Sequence, residues 1–244
     1  MKNEILNRFS NKYCTVDEIV DYMETVKPMI PRKTVVWNIN DLVKKGTITR
    51  VGRGVYYFGE KKTFQMTPGD TAMQICSVLT KQFKYLEITV TDTASLNGLM
   101  NLLPFSSVVS LEMKKSATAA AISALRKAGF NAWAKQDLPQ MERYASSAQP
   151  VVIRPELSVN PPLKAEDNIR LANLEKVLVD IVCDEDVYGQ YQGEELINIY
   201  NGASETYAIN YSRMLKYADA RNKRVEVEEV LSGTNEFKKV RDLL

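Results

Sequence analysis

Three residues in the middle of the chain have the types and order that metal-assisted hydrolysis uses. Asp92 follows the β-prone run "ITVT", and Glu112 and Lys114 stand at the end of a second run, "VSLEMKK". Carboxylates from two strands hold a Mg2+ ion in such sites, and the lysine orients or activates a water. Asp and Glu-x-Lys also recur by chance. Asp92 precedes a helical stretch, where a carboxylate caps free amides, and Glu112 and Lys114 suit solvated strand ends equally well. The chain has no histidine, which removes Ser-His-Asp and Cys-His catalysis and imidazole-based zinc sites. Cys14, Cys76 and Cys183 are odd in number and far apart, with no CxxC pair. They read as free buried thiols in a reducing compartment rather than as a disulfide framework or a zinc site.

A second set of residues has the chemistry of polyanion binding. Residues 1–62 hold twelve Lys and Arg against seven Asp and Glu, a net +5, while the remaining 182 residues hold 20 against 23, a net −3. From Lys27 to Lys62 there are nine basic residues and two acidic ones. Basic charge confined to one end of the chain points to a polyanion partner for that end. The residues placed to meet DNA are Arg32, Lys33, Thr34, Trp37, Asn38 and Lys44, followed by Arg50 and Arg53 in "GTITRVGRGVYYFG".

These residues need elements to position them. "KNEILNRF" is a short amphipathic stretch, and Thr15 and Glu18 have the spacing of a capping box at the head of "VDEIVDYMETV". A third helix is predicted from Pro31, a residue favoured in a first turn. Val35, Val36, Ile39, Leu42 and Val43 are its expected buried stripe, with Arg32, Lys33, Thr34, Trp37, Asn38 and Asp41 on the other face. Lys44, Lys45 and Gly46 end it. Thr47 to Val51 and Val55 to Phe58 then form two β-prone runs around Gly52-Arg53-Gly54, where glycine accepts positive φ.

Helix, helix, helix, hairpin is the order of a winged helix-turn-helix, with the third helix in the major groove and the hairpin as the wing. A protein-binding module, Trp37 in a dimer, inter-domain or core contact, and a plain glycine hairpin remain alternatives.

Residues 63–244 read differently. Helical patterns alternate with strands at "YLEITV", "VVSLEM" and "PVVIRPEL", a polar connector runs over "NPPLKAEDN", and the last seventy residues are helical in pattern. The expectation is an α/β (α+β) fold, with a winged helix-turn-helix over 1–62 and an α/β domain with C-terminal helices over 63–244. The polar start "MKNEILNRFS" does not suit a signal peptide, and no apolar run approaches the ~20 residues of a membrane span. A cytoplasmic location is expected.

"LVKKGTITRVGRGVYYF" resembles the end of the N-terminal winged helix in AbiEi-like antitoxins of bacterial type IV toxin–antitoxin, or abortive-infection, systems. "LANLEKVLVDIVCD" with "YSRMLKYADARNKRVEVEEVL" resembles the later helices of the same group. The resemblance covers both ends of the chain and is looser in the middle. It implies a non-enzymatic autorepressor that binds its own promoter and counters a nucleotidyltransferase-like toxin, generally without a stable complex. No cofactor or metal is implied. Paired copies on inverted repeats are expected, because a single winged helix reads only a short half-site. Within the second motif Glu175, Lys176 and Asp180 are functional candidates, or else charges solvated or bridged on a helix packed by Leu174, Val177, Leu178 and Ile181. The competing readings are a metal-dependent nuclease of the PD-(D/E)xK type built on Asp92, Glu112 and Lys114, and a stand-alone regulator whose C-terminal part senses a ligand or partner.

Overall fold

The computed structural model describes residues 1–102, 104, 107–141, 149–157, 163, 165–166 and 168–244. Its first unit contains α1 (Lys2–Phe9), β1 (Tyr13–Thr15), α2 (Val16–Val26), α3 (Arg32–Lys44), β2 (Thr49–Gly52) and β3 (Val55–Tyr57). The capping box is present: Thr15 Oγ1 accepts from the Glu18 amide at 3.2 Å, and the Glu18 carboxylate accepts from the Thr15 amide at 2.7 Å. Pro31 caps α3 from an extended conformation, so the helix starts one residue later than expected. The three strands form an antiparallel sheet in the order β1-β3-β2. Ile5, Phe9, Ile19, Met23, Val35, Ile39, Leu42 and Phe58 fill the core beneath it. Strand β1 has no signal in the sequence, since its three residues are held by the ladder to β3 rather than by local preference.

The second unit is built on a six-stranded sheet in the order β6-β7-β5-β4-β9-β8. These strands are β4 (Ile88–Asp92), β5 (Val109–Met113), β6 (Asn131–Ala134), β7 (Pro150–Pro155), β8 (Ala165–Glu166) and β9 (Ile169–Leu171). β6, β7 and β5 run parallel, β4 is antiparallel to β5 and parallel to β9, and β8 is antiparallel to β9. β4, β5 and β7 match the expected strands. β6 and β9 were not anticipated, and "NPPLKAEDN" lies mostly outside the described residues. The fold is mixed α/β.

The strands alternate side chains between the two faces. Ile88, Val90, Leu111, Met113, Val151 and Ile153 pack on α4 (Asp70–Gln82) and α5 (Lys115–Lys127). The other face is polar: Thr89, Thr91, Ser110, Glu112 and Arg154 are all buried there.

What covers that face is helical. After α6 (Leu138–Met141) come α7 (Leu174–Cys183), α8 (Glu185–Tyr188), α9 (Glu194–Thr206), α10 (Tyr211–Ala220), α11 (Arg224–Ser232) and α12 (Asn235–Val240). Helix α7 is buried on all sides from Leu174 to Ile181. The helical stretch expected after Asp92 is a 3-10 helix over Thr93–Leu99, capped by Asp92. Among the described residues no helix is long and apolar enough to cross a membrane.

The two units share packing. Ile48, Tyr56 and Phe58 face the N-terminal core, whereas Val51 and Val55 join the core of the C-terminal helices. Lys62 exchanges backbone hydrogen bonds with Thr206 and Ala208, and Tyr13 donates to Glu236 at 2.6 Å.

Candidate functional site

Helix α3 turns one face to solvent because its apolar residues are used on the other. At about 100° per residue, Lys33, Trp37, Asn40 and Lys44 fall on one line of the cylinder. Val35, Ile39 and Leu42 lie opposite and are buried. Arg32, Lys33, Val36, Trp37 and Asn40 line a shallow open groove. Trp37 is 63% exposed, and the Lys2 ammonium sits 5.2 Å from its ring centroid. An indole held flat against a cation and left open to solvent is not a core residue, as one alternative had it.

The charges on this face differ in how free they are. Arg32 is paired with Asp17 at 2.6 Å, and Lys2 and Lys45 both bind Asp41, at 2.5 and 3.1 Å. The Asp41 carboxyl is held below the usual range by those two hydrogen bonds. Lys33 and Lys44 have no ion-pair partner among the described residues, and Thr34 is exposed.

Asn38 does not face the groove, contrary to expectation. It is 4% exposed, and its side-chain amide donates to the Thr34 carbonyl at 2.7 Å. It lies about 140° around the helix from Lys33, so it faces the protein. Asn40, in phase with Lys33 and Trp37, takes the place that Asn38 was expected to fill. The helical period, applied strictly from Lys33, was the signal that pointed to it.

The hairpin is placed beside α3 by the start of α2. The Val16 amide donates to the Gly54 carbonyl at 2.7 Å, and the next residue, Asp17, carries Arg32. Gly54 has φ +74°, which allows the tight turn after Arg53. Arg50 and Arg53 are both exposed. The turn is not free, though. The Arg53 amide donates to Ser212 Oγ at 3.2 Å, and a Cβ on Gly52 would run into the Leu244 side chain. The Arg50 guanidinium bonds the Gly52 carbonyl at 3.2 Å. The expected wing therefore shows its two arginines to solvent while its backbone is seated on α10.

The proposed metal-site residues are not brought together. Asp92 opposes Val109 across the β4–β5 ladder, whereas Glu112 opposes Thr89. Three residues of offset amount to about 10 Å along the strand, and alternation puts the two side chains on opposite faces. The Asp92 carboxylate accepts from the Ala94 and Gly69 amides at 3.0 and 2.9 Å, so it is a cap. Lys114 is exposed at the head of α5. Glu112 is not a solvated strand-end residue either, since it is 2% exposed.

Glu112 instead belongs to a buried ionic cluster under α7. Lys176, Asp180 and Asp184 follow one another at i, i+4 and i+8 and face the polar side of the sheet. Lys176 Nζ donates to Glu112, Asp180 and the Tyr217 hydroxyl at 2.7, 2.9 and 2.8 Å. Arg154 binds Asp180 at 2.6 Å and also pairs with Glu112 and Asp184. Arg221 reaches from α10 to Asp180 and Asp184 at 2.5 and 2.8 Å, and Lys135 meets Asp184 at 2.5 Å. Tyr217 donates to Asp180 at 2.7 Å. Burial alone pushes the Asp180 carboxyl up, but Arg154, Lys176 and Arg221 outweigh it and hold it far below the usual carboxylate range. Burial likewise raises Asp184, and Arg154 and Arg221 bring it below its ordinary value. Burial, then the Asp180 and Glu112 charges, push the Tyr217 hydroxyl well up. Lys176 and Asp180 are thus bridged, not solvated. Glu175 accepts the Asn210 amide at 3.0 Å and fixes the head of α10.

Among the described residues no group of three or more His, Cys, Asp or Glu is arranged to hold a metal ion. The carboxylates of the cluster are separated by cations, and each is already bonded. The arrangement can tie sheet, α7 and α10 together.

The chain belongs to the family DUF6577, a family of unknown function, whose match covers residues 34–236. That span takes in most of α3, the hairpin and the whole ionic cluster. No curated protein matches the chain.

Proposed function

We propose that this protein is a double-stranded-DNA-binding regulator that lays α3 in the major groove. One observation carries the reading: the solvent face of α3 bears, near its ends, two lysines with no ion-pair partner among the described residues, with Trp37 and Asn40 between them. Eleven residues of helix separate Lys33 from Lys44 by about 16 Å. That length suits two cations meeting phosphates at the borders of a major groove about 12 Å wide. Arg50 and Arg53 then flank the reading helix as a wing, held in place by the bond from Val16 and by α10. The order of three helices, an added strand and a hairpin supports a winged-helix unit.

The resemblance of both chain ends to AbiEi-like antitoxins supports a finer reading. The protein represses its own operon from inverted repeats and counters a nucleotidyltransferase-like toxin in the cytoplasm, without enzymatic activity of its own. The ionic cluster limits what the Leu-Glu-Lys stretch contributes to that antidote role, because its charges are enclosed.

The test uses the full chain and a duplex from its own promoter. Lys33→Gln with Lys44→Gln should reduce the slope of log affinity against log salt by about two units. At about 0.15 M salt the counterion term alone should weaken binding on the order of 30-fold. An unchanged slope overturns the DNA reading. Growth rescue from an adjacently encoded nucleotidyltransferase-like toxin tests the antidote reading, which fails if co-expression gives no protection.

A further inference from the structure

We infer that Asn40 reads an adenine, so that the DNA sites this protein prefers carry an A·T pair beneath the middle of α3. The inference rests on the DNA-binding reading above and adds to it the identity of a base. Asn40 is exposed, lines the groove beside Trp37, and its side chain has no hydrogen-bond partner among the described residues.

The other residues of the face are ruled out by chemistry or position. Arg32 is held by Asp17. Lys33 and Lys44 are point charges at the two ends of the helix, suited to phosphates, which position a protein without informing it of sequence. Thr34 lies about 120° around the helix from Asn40. Asn38 has its amide bonded to the Thr34 carbonyl. Trp37 offers one N–H donor and a broad apolar ring, which fits a thymine methyl or a sugar but cannot distinguish a purine by paired hydrogen bonds.

A free carboxamide has two donors and one acceptor. Adenine shows the major groove an acceptor at N7 and a donor at N6, and the two sets match in a bidentate pair. Guanine presents two acceptors there, leaving the carboxamide oxygen facing another oxygen. Cations at the ends of the helix fix its register on the backbone, and the uncommitted amide between them is the group left to select a base.

Selection of random-sequence duplex DNA by the full-length protein tests this. Wild type should enrich sites with an adenine at one fixed position. Asn40→Ala should lose preference at that position alone, by roughly 5- to 150-fold, and keep the wild-type salt slope. Replacing that adenine with 7-deazaadenine, which lacks the N7 acceptor, should weaken wild type and leave Asn40→Ala indifferent.

If Asn40→Ala enriches the same sites as wild type, Asn40 is not the reader, although DNA binding stands. If wild type binds with a strong salt slope but enriches no sequence, base reading by this face is overturned and non-specific binding stands. If wild type neither binds duplex DNA nor responds to the Lys33 and Lys44 substitutions, both readings fall together.

Discussion

Lys33 and Lys44 on α3 lie in solvent without an acidic partner among the described residues, whereas Lys176, Arg154 and Arg221 beneath α7 are each bound to at least two acidic groups. The sign of the charge is the same; the surroundings reverse what it does. A lysine in water keeps its charge at little cost and stays available to a polyanion. A lysine at 0% exposure is tolerable only because Glu112, Asp180 and the Tyr217 hydroxyl replace its water. Glu112, Asp180 and Asp184 face the buried Lys176 and Arg154, the half-buried Arg221 and, at the rim, Lys135, so each carboxylate is already compensated. The cluster's effect is to make the register of sheet, α7 and α10 unique, since any slip would leave a charge buried and unpaired.

The largest effect is expected where that compensation is broken. Asp180 accepts from Lys176, Arg154, Arg221 and Tyr217. Asp180→Ala takes one carboxylate from each of three cations and leaves excess positive charge in the cluster, and losing one partner of a buried ionic group costs about 3–5 kcal/mol. Urea unfolding of the variant should show that loss. A change below about 1 kcal/mol would mean that water reaches the cluster and that the contrast with α3 is false.

Acid should reveal the same difference without mutation. The folded-state pKa values of Asp180 and Asp184 lie below their unfolded ones. Their stabilisation is therefore present above the unfolded value near 4 and is lost as pH falls through the folded values. Thermal midpoints should hold from pH 7 to about 5 and fall steadily below about 4. A flat profile to pH 3 would remove these two carboxylates from the account.

The sequence exposed the N-terminal unit more fully than the site within it. The capping box, Pro31 and Gly46 act within a few residues, so α2, α3 and their ends were legible. The strands β6 and β9 were not, because "NAWA" and "IRL" become strands only when β7 and β4 pair with them. The charges of "LANLEKVLVDIVCD" could be read as solvated or as bridged, because Lys and Asp are usually exposed and only partners from elsewhere decide between the two. Their partners Glu112, Arg154, Tyr217 and Arg221 lie 26 to 64 residues away in sequence, and no local pattern reports such a meeting. Asn38 went astray for a simpler reason. Val36, which lines the open groove, was counted with the buried stripe, which rotated the expected open face toward Asn38.

That rotation supplies the smallest and sharpest test of the comparison. Asn38→Ala removes the bond to the Thr34 carbonyl, worth about 1 kcal/mol, while alanine returns a few tenths through its better helix propensity. The variant should therefore lose somewhat less than 1 kcal/mol of stability and bind DNA with unchanged salt slope and site preference. Asn40→Ala, two residues along and facing water, should do the reverse: stability held or slightly raised, site preference changed. Should Asn38→Ala shift site preference at unaltered stability, α3 presents a different face to DNA from the one that Lys33, Trp37 and Asn40 define.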